Sequence, residues 1–206
     1  MISYRNEVIL SGTLAKKFEY QQHYDQVRKK SEAILEVRRK SGRKDQVIIQ
    51  ASGWKTEVAA KLQEGDYVYV KGEIRMYGYI GEDGEKHTKI YVHIDRIWKD
   101  VAAEQDSNEV KLVGAIVKKA ALRKLPKAQK IQGITVATKC CSQSANAYIP
   151  VIAQGRMASR VCENYDVRYE IRLTGRYQSR NYKKKYPNGK KEEKTTYEVS
   201  ITKLDI

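Results

Sequence analysis

Apolar and polar residues alternate along most of this chain. Val8, Leu10 and Gly12 alternate with polar neighbours, as do Ile34 with Glu36, and Val68 and Val70 with Tyr69 and Lys71. A period of two, rich in β-branched and aromatic residues, predicts half-buried strands. Helical spacing shows at one place in each half. Over 55–62, Val58, Ala59 and Leu62 share a face and Gly65 follows as a C-terminal stop. The counterpart over 157–163 is shorter and carries a weaker pattern. Asp83-Gly84 and Asn188-Gly189 predict hairpin turns, because both residue types tolerate the positive φ of a type I′ turn. Phe18 to Tyr24 has mixed polarity without a period and reads as a loop.

The pattern occurs twice. Asn6-Glu7-Val8-Ile9-Leu10-Ser11-Gly12 returns as Asn108-Glu109-Val110-Lys111-Leu112-Val113-Gly114, and Gly53 returns as Gly155, at an offset of 102. Val68 to Gly72 then matches Ile171 to Gly175 at 103, a slip that one loop residue absorbs. Such a repeat predicts two copies of one unit, 1–103 and 104–206. In each the order is strand, strand, strand, helix, strand, hairpin, strand. Five strands with one short helix between the third and fourth is the plan of the OB-fold, a Greek-key barrel. The fold class expected is therefore all-β (mainly β), as two tandem five-stranded OB barrels.

Charge changes the picture next. The 206 residues carry a net charge of +15, and a chain this basic accumulates polyanions by releasing their condensed counterions. The excess is uneven: residues 1–105 are net +3 and residues 106–206 net +12, so the second copy should carry most of the electrostatic grip. No apolar run is long enough to span a bilayer and the N-terminus lacks the apolar core of a signal peptide, which leads us to expect a cytoplasmic, nucleoid-associated protein without a membrane partner. Cys140, Cys141 and Cys162 offer neither an even count nor a zinc spacing. His23, His87 and His93 stand apart from metal-ligand spacings, and no phosphate loop or nucleophile motif occurs. We therefore expect no catalytic set, no metal and no cofactor.

Cations and tyrosines interleave in the fourth strand of the second copy: Arg176, Tyr177, Arg180, Tyr182, Lys183, Lys184, Lys185 and Tyr186. Basic side chains that follow phosphates, with aromatic faces for bases, are the two requirements for holding single strands without reading sequence. The first-copy counterpart is Arg75, Tyr77 and Tyr79, leading into a hairpin whose Glu82, Asp83 and Glu85 would repel phosphate. A second basic run, Arg38, Arg39, Lys40 and Arg43, lies between the second and third strands. Tyr67, Tyr69, Tyr91, Tyr165 and Tyr169, together with Trp54 and Trp98, read as packing residues.

The opening Asn-x-Val-x-Leu-x-Gly of both copies, the strand ending at Gly53 before a helix, and Gly65 to Arg75 resemble the bacterial single-stranded DNA-binding proteins. The resemblance covers nearly the whole chain. It implies that Tyr79 and Tyr182, which follow the fourth strand's Gly-x-x-Arg, stack on bases, and that the loop bearing Arg38 to Arg43 wraps the strand. It also implies an aromatic at the start of the third strand, met by Tyr148 but replaced by Gln46 in the first copy. A further aromatic position holds Ser52 and Gln154, and the second copy has Tyr165-Asp166-Val167 where the family has a glycine. These departures predict weaker binding that leans on charge. The implied partner is single-stranded DNA, with single-stranded RNA as an alternative. The implied assembly is a homodimer or higher homo-oligomer, paired along exposed first strands. With the last strand closing at Ile206, we expect the family's acidic C-terminal recruitment tail to be missing. A competing reading is a protein-interaction module similar to the primosome's OB-fold restart protein, with incidental DNA binding.

Overall fold

The structure is a computed structural model that describes residues 3–20, 29–81, 84–101, 105–125, 129–140, 145–185, 189 and 191–205. The first half runs β1 (Arg5–Tyr20), β2 (Lys30–Arg38), β3 (Lys44–Ser52), α1 (Lys55–Ala59), β4 (Tyr67–Ile80) and β5 (Lys86–Lys99). The second runs β6 (Asn108–Lys119), β7 (Arg123–Lys124), β8 (Lys130–Lys139), β9 (Asn146–Gln154), α2 (Arg156–Asn164), β10 (Glu170–Lys185) and β11 (Lys191–Asp205). The expected mainly-β class is what the chain adopts, with one short helix between the third and fourth long strands of each half.

Each half closes on itself. The strand order β2-β3-β5-β4-β1 returns through a β2–β1 pairing, and the mirrored set β6-β10-β11-β9-β8 returns through β6–β8. The long neighbours are antiparallel, whereas β3 meets β5 and β9 meets β11 in parallel over two residue pairs each. Alternation does what it predicted in β1 and β4, where Val8, Leu10, Val68 and Val70 point inward with Leu35, Val37, Val47 and Ile94, and Val110, Leu112, Val136, Ile171 and Leu173 build the second core. In β2 the expected alternation of Ile34 with Glu36 is corrected: two residues apart, they share the outer face, and Ala33, Leu35 and Val37 turn inward. Gly12 makes closure possible, since a Cβ there would lie 2.2 Å from the Glu36 carbonyl oxygen; at Gly114 it would lie 2.2 Å from that of Ala137.

An asparagine clamp repeats with the same fidelity. Asn6 Nδ2 donates to the Ile74 carbonyl at 2.8 Å and the Ile74 N–H donates to Asn6 Oδ1 at 3.0 Å. Asn108 treats Tyr177 identically, at 2.7 and 2.8 Å. The side chain thereby continues the β1–β4 and β6–β10 ladders, whose backbone pairing ends at Val8 opposite Gly72 and at Val110 opposite Gly175.

The two halves join by antiparallel pairing of β1 with β6, from Arg5 opposite Val113 to Leu10 opposite Asn108. In that register Val8 faces Val110, its own counterpart in the repeat, so a local two-fold axis passes between them. This corrects the expected assembly: the first-strand edges that were to pair between chains are used inside one chain.

Local readings need three further corrections. Helix α1 stops at Ala59, and Leu62 reaches the core through tight turns in which Lys61 N–H donates to Val58 and Leu62 N–H to Ala59. Val58 consequently faces solvent while Thr56 and Ala59 are buried. Helix α2, expected to be the shorter, spans nine residues and buries Ala158 and Val161. Phe18 to Tyr20 continue β1 as strand, and the rest of that expected loop lies outside the described residues. The turn residues Asp83 and Asn188 also lie outside them, while Gly84 and Gly189 have φ of 71° and 80°.

Candidate functional site

Two seams flank the local two-fold axis, and each sets the start of a third strand against the other half's fourth strand. At the first seam the Gln46 N–H donates to Ser179 Oγ at 3.2 Å, and the Ser179 N–H donates to Asp45 Oδ1 at 3.2 Å. A cleft of about 270 Å³ opens beside them, lined by Arg43, Lys44, Gln46, Ser179, Asn181 and Tyr197 among others. Arg43 and Lys44 are exposed on its first-half side; Arg38 and Lys40 are also exposed, with Arg38 Nη2 3.7 Å from Asp106 Oδ1. Arg176 comes across from β10, half-buried; burial, then the Arg39 charge, lowers its proton affinity, although a guanidinium remains charged throughout the ordinary pH range.

At the second seam the Tyr148 N–H donates to Met76 Sδ at 3.1 Å, so the exposed Tyr148 of the second half stands against β4 of the first. Farther along β4, Tyr77 and Tyr79 are exposed with ring centroids 6.0 Å apart. Tyr77 meets Tyr91 edge-on at 5.8 Å, and Tyr79 stacks on His87 at 5.4 Å. Lys89 lies beside the Tyr77 hydroxyl; even so, burial holds that phenol above its ordinary range. Nearby, Lys139 Nζ sits 5.2 Å from the centre of the Tyr4 ring. One seam is thus polar and cationic, the other aromatic.

Of the expected stacking tyrosines, Tyr79, Tyr148 and Tyr182 are 47%, 46% and 39% exposed, open enough to offer a ring face to a ligand. Arg180 and Lys183 are exposed beside Tyr182, with Arg180 Nε 3.3 Å from Glu198 Oε1. Lys184 and Lys185 continue the β10 strand, and Tyr186 lies outside the described residues.

Three expected contacts fail on geometry. Tyr177 is fully buried: its ring stacks on Tyr197 at 6.0 Å and its hydroxyl donates 3.1 Å to the Ile90 carbonyl of the other half. Arg75 is buried and ion-paired to Glu73 at 2.7 Å. Arg39 spends both Nε and Nη2 on the buried Asp45 carboxylate at 2.5 Å, fixing the loop instead of reaching out. Conversely Trp54, read as packing, is 71% exposed beside α1, and Tyr169 is also exposed. Trp98 stacks on Tyr69 at 4.4 Å but keeps an open face. Gly53, immediately before Trp54, takes a φ of 62°.

Among the described residues no three His, Cys, Asp or Glu side chains gather as metal ligands, and no helix is long and apolar enough to cross a membrane.

Comparison with known proteins places these features. A model of the single-strand binding protein family matches residues 5–99 and again residues 107–206. The crystal structure of the wild-type single-stranded DNA binding protein from Thermus aquaticus superposes with a TM-score of 0.75, at 18% identity, over 98% of this chain and 92% of that one. A deletion mutant of the same protein gives 0.75 at 18% identity, over 98% and 94%. At that identity the likeness is one of fold. The N-terminal domain of PriB from Thermoanaerobacter tencongensis aligns with 47% of this chain and 98% of its own, at 25% identity and a TM-score of 0.38. Nothing among curated proteins is significantly similar to the chain.

Proposed function

The chain belongs to the single-strand binding protein family, and from that premise we propose that it holds single-stranded DNA without reading sequence, in the service of replication, recombination or repair. The observation that carries the reading is the placement of open tyrosine faces beside exposed cations: Tyr182 with Arg180 and Lys183 on β10, and Tyr148 and Tyr79 across the second seam. Bases stacked on such rings contribute roughly 1–3 kcal/mol each whatever their identity, and phosphates add a salt-dependent term. Arg38, Lys40, Arg43, Arg176, Lys184 and Lys185 are the further phosphate contacts in this reading, and Tyr77 a further ring; Tyr177, Arg75 and Arg39 are not among them.

No step of this reading needs chemistry, so the protein acts by binding. Residues 1–103 and 104–206 act as the two binding units, and a homodimer would present four of them, joined elsewhere than along β1 and β6. Its place would be the cytoplasm, with the nucleoid.

Titration of fluorescent oligo-dT tests the proposal. Tyr182→Ala should weaken binding about tenfold and more than Tyr79→Ala does, since the second half carries the larger positive charge. Competition by single-stranded RNA and by duplex DNA should be weaker than by single-stranded DNA. Duplex competing equally, or both alanine variants binding like the wild type, would overturn it.

A further inference from the structure

The two halves differ most where their frames coincide. In the first half Glu32 on β2 lies opposite Gln50 on β3, and Gln50 Nε2 donates to Glu32 Oε1 at 2.9 Å. Lys89, opposite Tyr77, is ion-paired to the same buried carboxylate. That network fills the outer face between β2, β3 and β5.

In the second half Gly133 lies opposite Ile152 at the matching rung, and Arg180 opposite Thr196. Gly133 puts no side chain where Glu32 stands in the first half. A Cβ built on Gly133 would meet only Ala120 Cβ, at 3.8 Å. The result is a cavity of about 210 Å³ with Gly133, Pro150 and Ile152 on its walls and Lys118, Arg123 and Arg180 among its lining residues. Lys118 and Arg123 are exposed and have no ion-pair partner among the described residues. Glu198 reaches in as well; its Oε1 takes hydrogen bonds from Gln178 Nε2 at 3.0 Å and Arg180 Nε at 3.3 Å.

The size is below the roughly 300–1,000 Å³ of drug-sized ligand sites, and so suits a single planar fragment. Apolar walls accept a ring, the second Glu198 oxygen accepts a ring N–H, and the two unpaired cations match a phosphate attached to it. We infer that this cavity takes one nucleobase, with its phosphate on Lys118 and Arg123, and that the first half has no equivalent site because Glu32 fills it. The inference rests on the nucleic-acid reading above and adds to it one position at which a base is inserted, not merely stacked. The same chemistry could come from a base within a strand or from a free nucleotide.

Two measurements on the full chain test it. In amide NMR titrations, thymidine 5′-monophosphate and a short oligo-dT should both shift Gly133, Ile134 and Ile152 saturably, whereas inorganic phosphate should not. Shifts with the oligomer alone would assign the cavity to a base held within a strand; shifts with both would admit free nucleotides too. Gly133→Val, which fills the space from an unstrained strand position, should retain the thermal unfolding of the parent and lose about tenfold in oligo-dT affinity. Wild-type binding with no shift at these amides, or a folded Gly133→Val that binds equally well, would overturn the inference and leave the broader proposal standing. Failure of the wild type to bind oligo-dT at all would sink that proposal instead.

Discussion

The first half seals one face of its fold with Glu32, Gln50 and Lys89, whereas the second half leaves the same face open with Gly133, Ile152 and Thr196. Beneath those faces the two frames agree bond for bond: the asparagine clamp, the glycine at the tight crossing and the positive-φ glycine before each helix recur. The difference teaches that closure of the sheet leaves little freedom, because a shifted backbone would orphan buried polar groups, while the outer face answers only to solvent and ligand.

The largest test of this comparison lies at the clamp itself, where Ile74 in one half is Tyr177 in the other. Tyr177→Ala should cost about 4 kcal/mol in urea unfolding, since it empties a fully buried ring site. Tyr177→Phe should cost about 1 kcal/mol, the hydroxyl's bond to Ile90 across the halves. A loss no larger than that of Tyr182→Ala would mean that the ring is not sealed.

Next in size is a dependence on pH that only the first half should show. His93 is buried, with its Nε2 3.4 Å from Ser52 Oγ and its Nδ1 unpaired among the described residues, and its rung in the second half is occupied by Ser200. Burial, then the Arg75 charge, pushes the imidazole down to about 4 from an ordinary 6.5. The unfolded chain therefore takes up the proton first on acidification. Stability present above pH 6.5 should fall by up to about 3 kcal/mol as pH drops toward 4, then cease to fall on this account. His93→Gln should flatten that segment of the profile, and hydrogen exchange at pH 5 should show amides of β4 and β5 opening before those of β10 and β11.

Smaller effects probe the shared frame. Asn6→Ala and Asn108→Ala should each cost about 2 kcal/mol, because each leaves a backbone donor and acceptor unpaired. Unequal losses in unfolding midpoints would separate the halves where the geometry makes them alike. Smallest is a gain. Arg168 stands at φ 77°, the one non-glycine residue with positive φ among those described, and its N–H donates 2.7 Å to Ile116 just as Gly65 donates 2.9 Å to Leu14. Arg168→Gly should stabilise by about 1 kcal/mol on thermal melting by relieving the left-handed strain.

That strain shows what a sequence carries. The repeat was legible, but the missing glycine was placed at Tyr165-Asp166-Val167, whereas the residue equivalent to Gly65 is Arg168; there the chain keeps the left-handed turn because two backbone hydrogen bonds with Ile116 enforce it. Tyr177 was legible and misread. Ile171, Leu173 and Gly175 set the inward parity that Tyr177 continues, but the surrounding cations made the segment look uniformly exposed. Arg39 could not be told from its basic neighbours, since only the fold brings Asp45 against it; Glu73, two residues from Arg75 on the same strand, was in view, and what the sequence hid was the burial of that pair. The seams were invisible for a related reason: each joins segments more than 70 positions apart.

The meeting of Val8 with Val110 has a consequence for how such a protein can change. Were two separate, identical chains to meet on a true axis, every substitution would strike both sides at once, and a side chain lost from one face would vanish from its twin. Here the axis lies within a single covalent chain, so each substitution touches one side only. One half was free to become a lock and the other a keyhole.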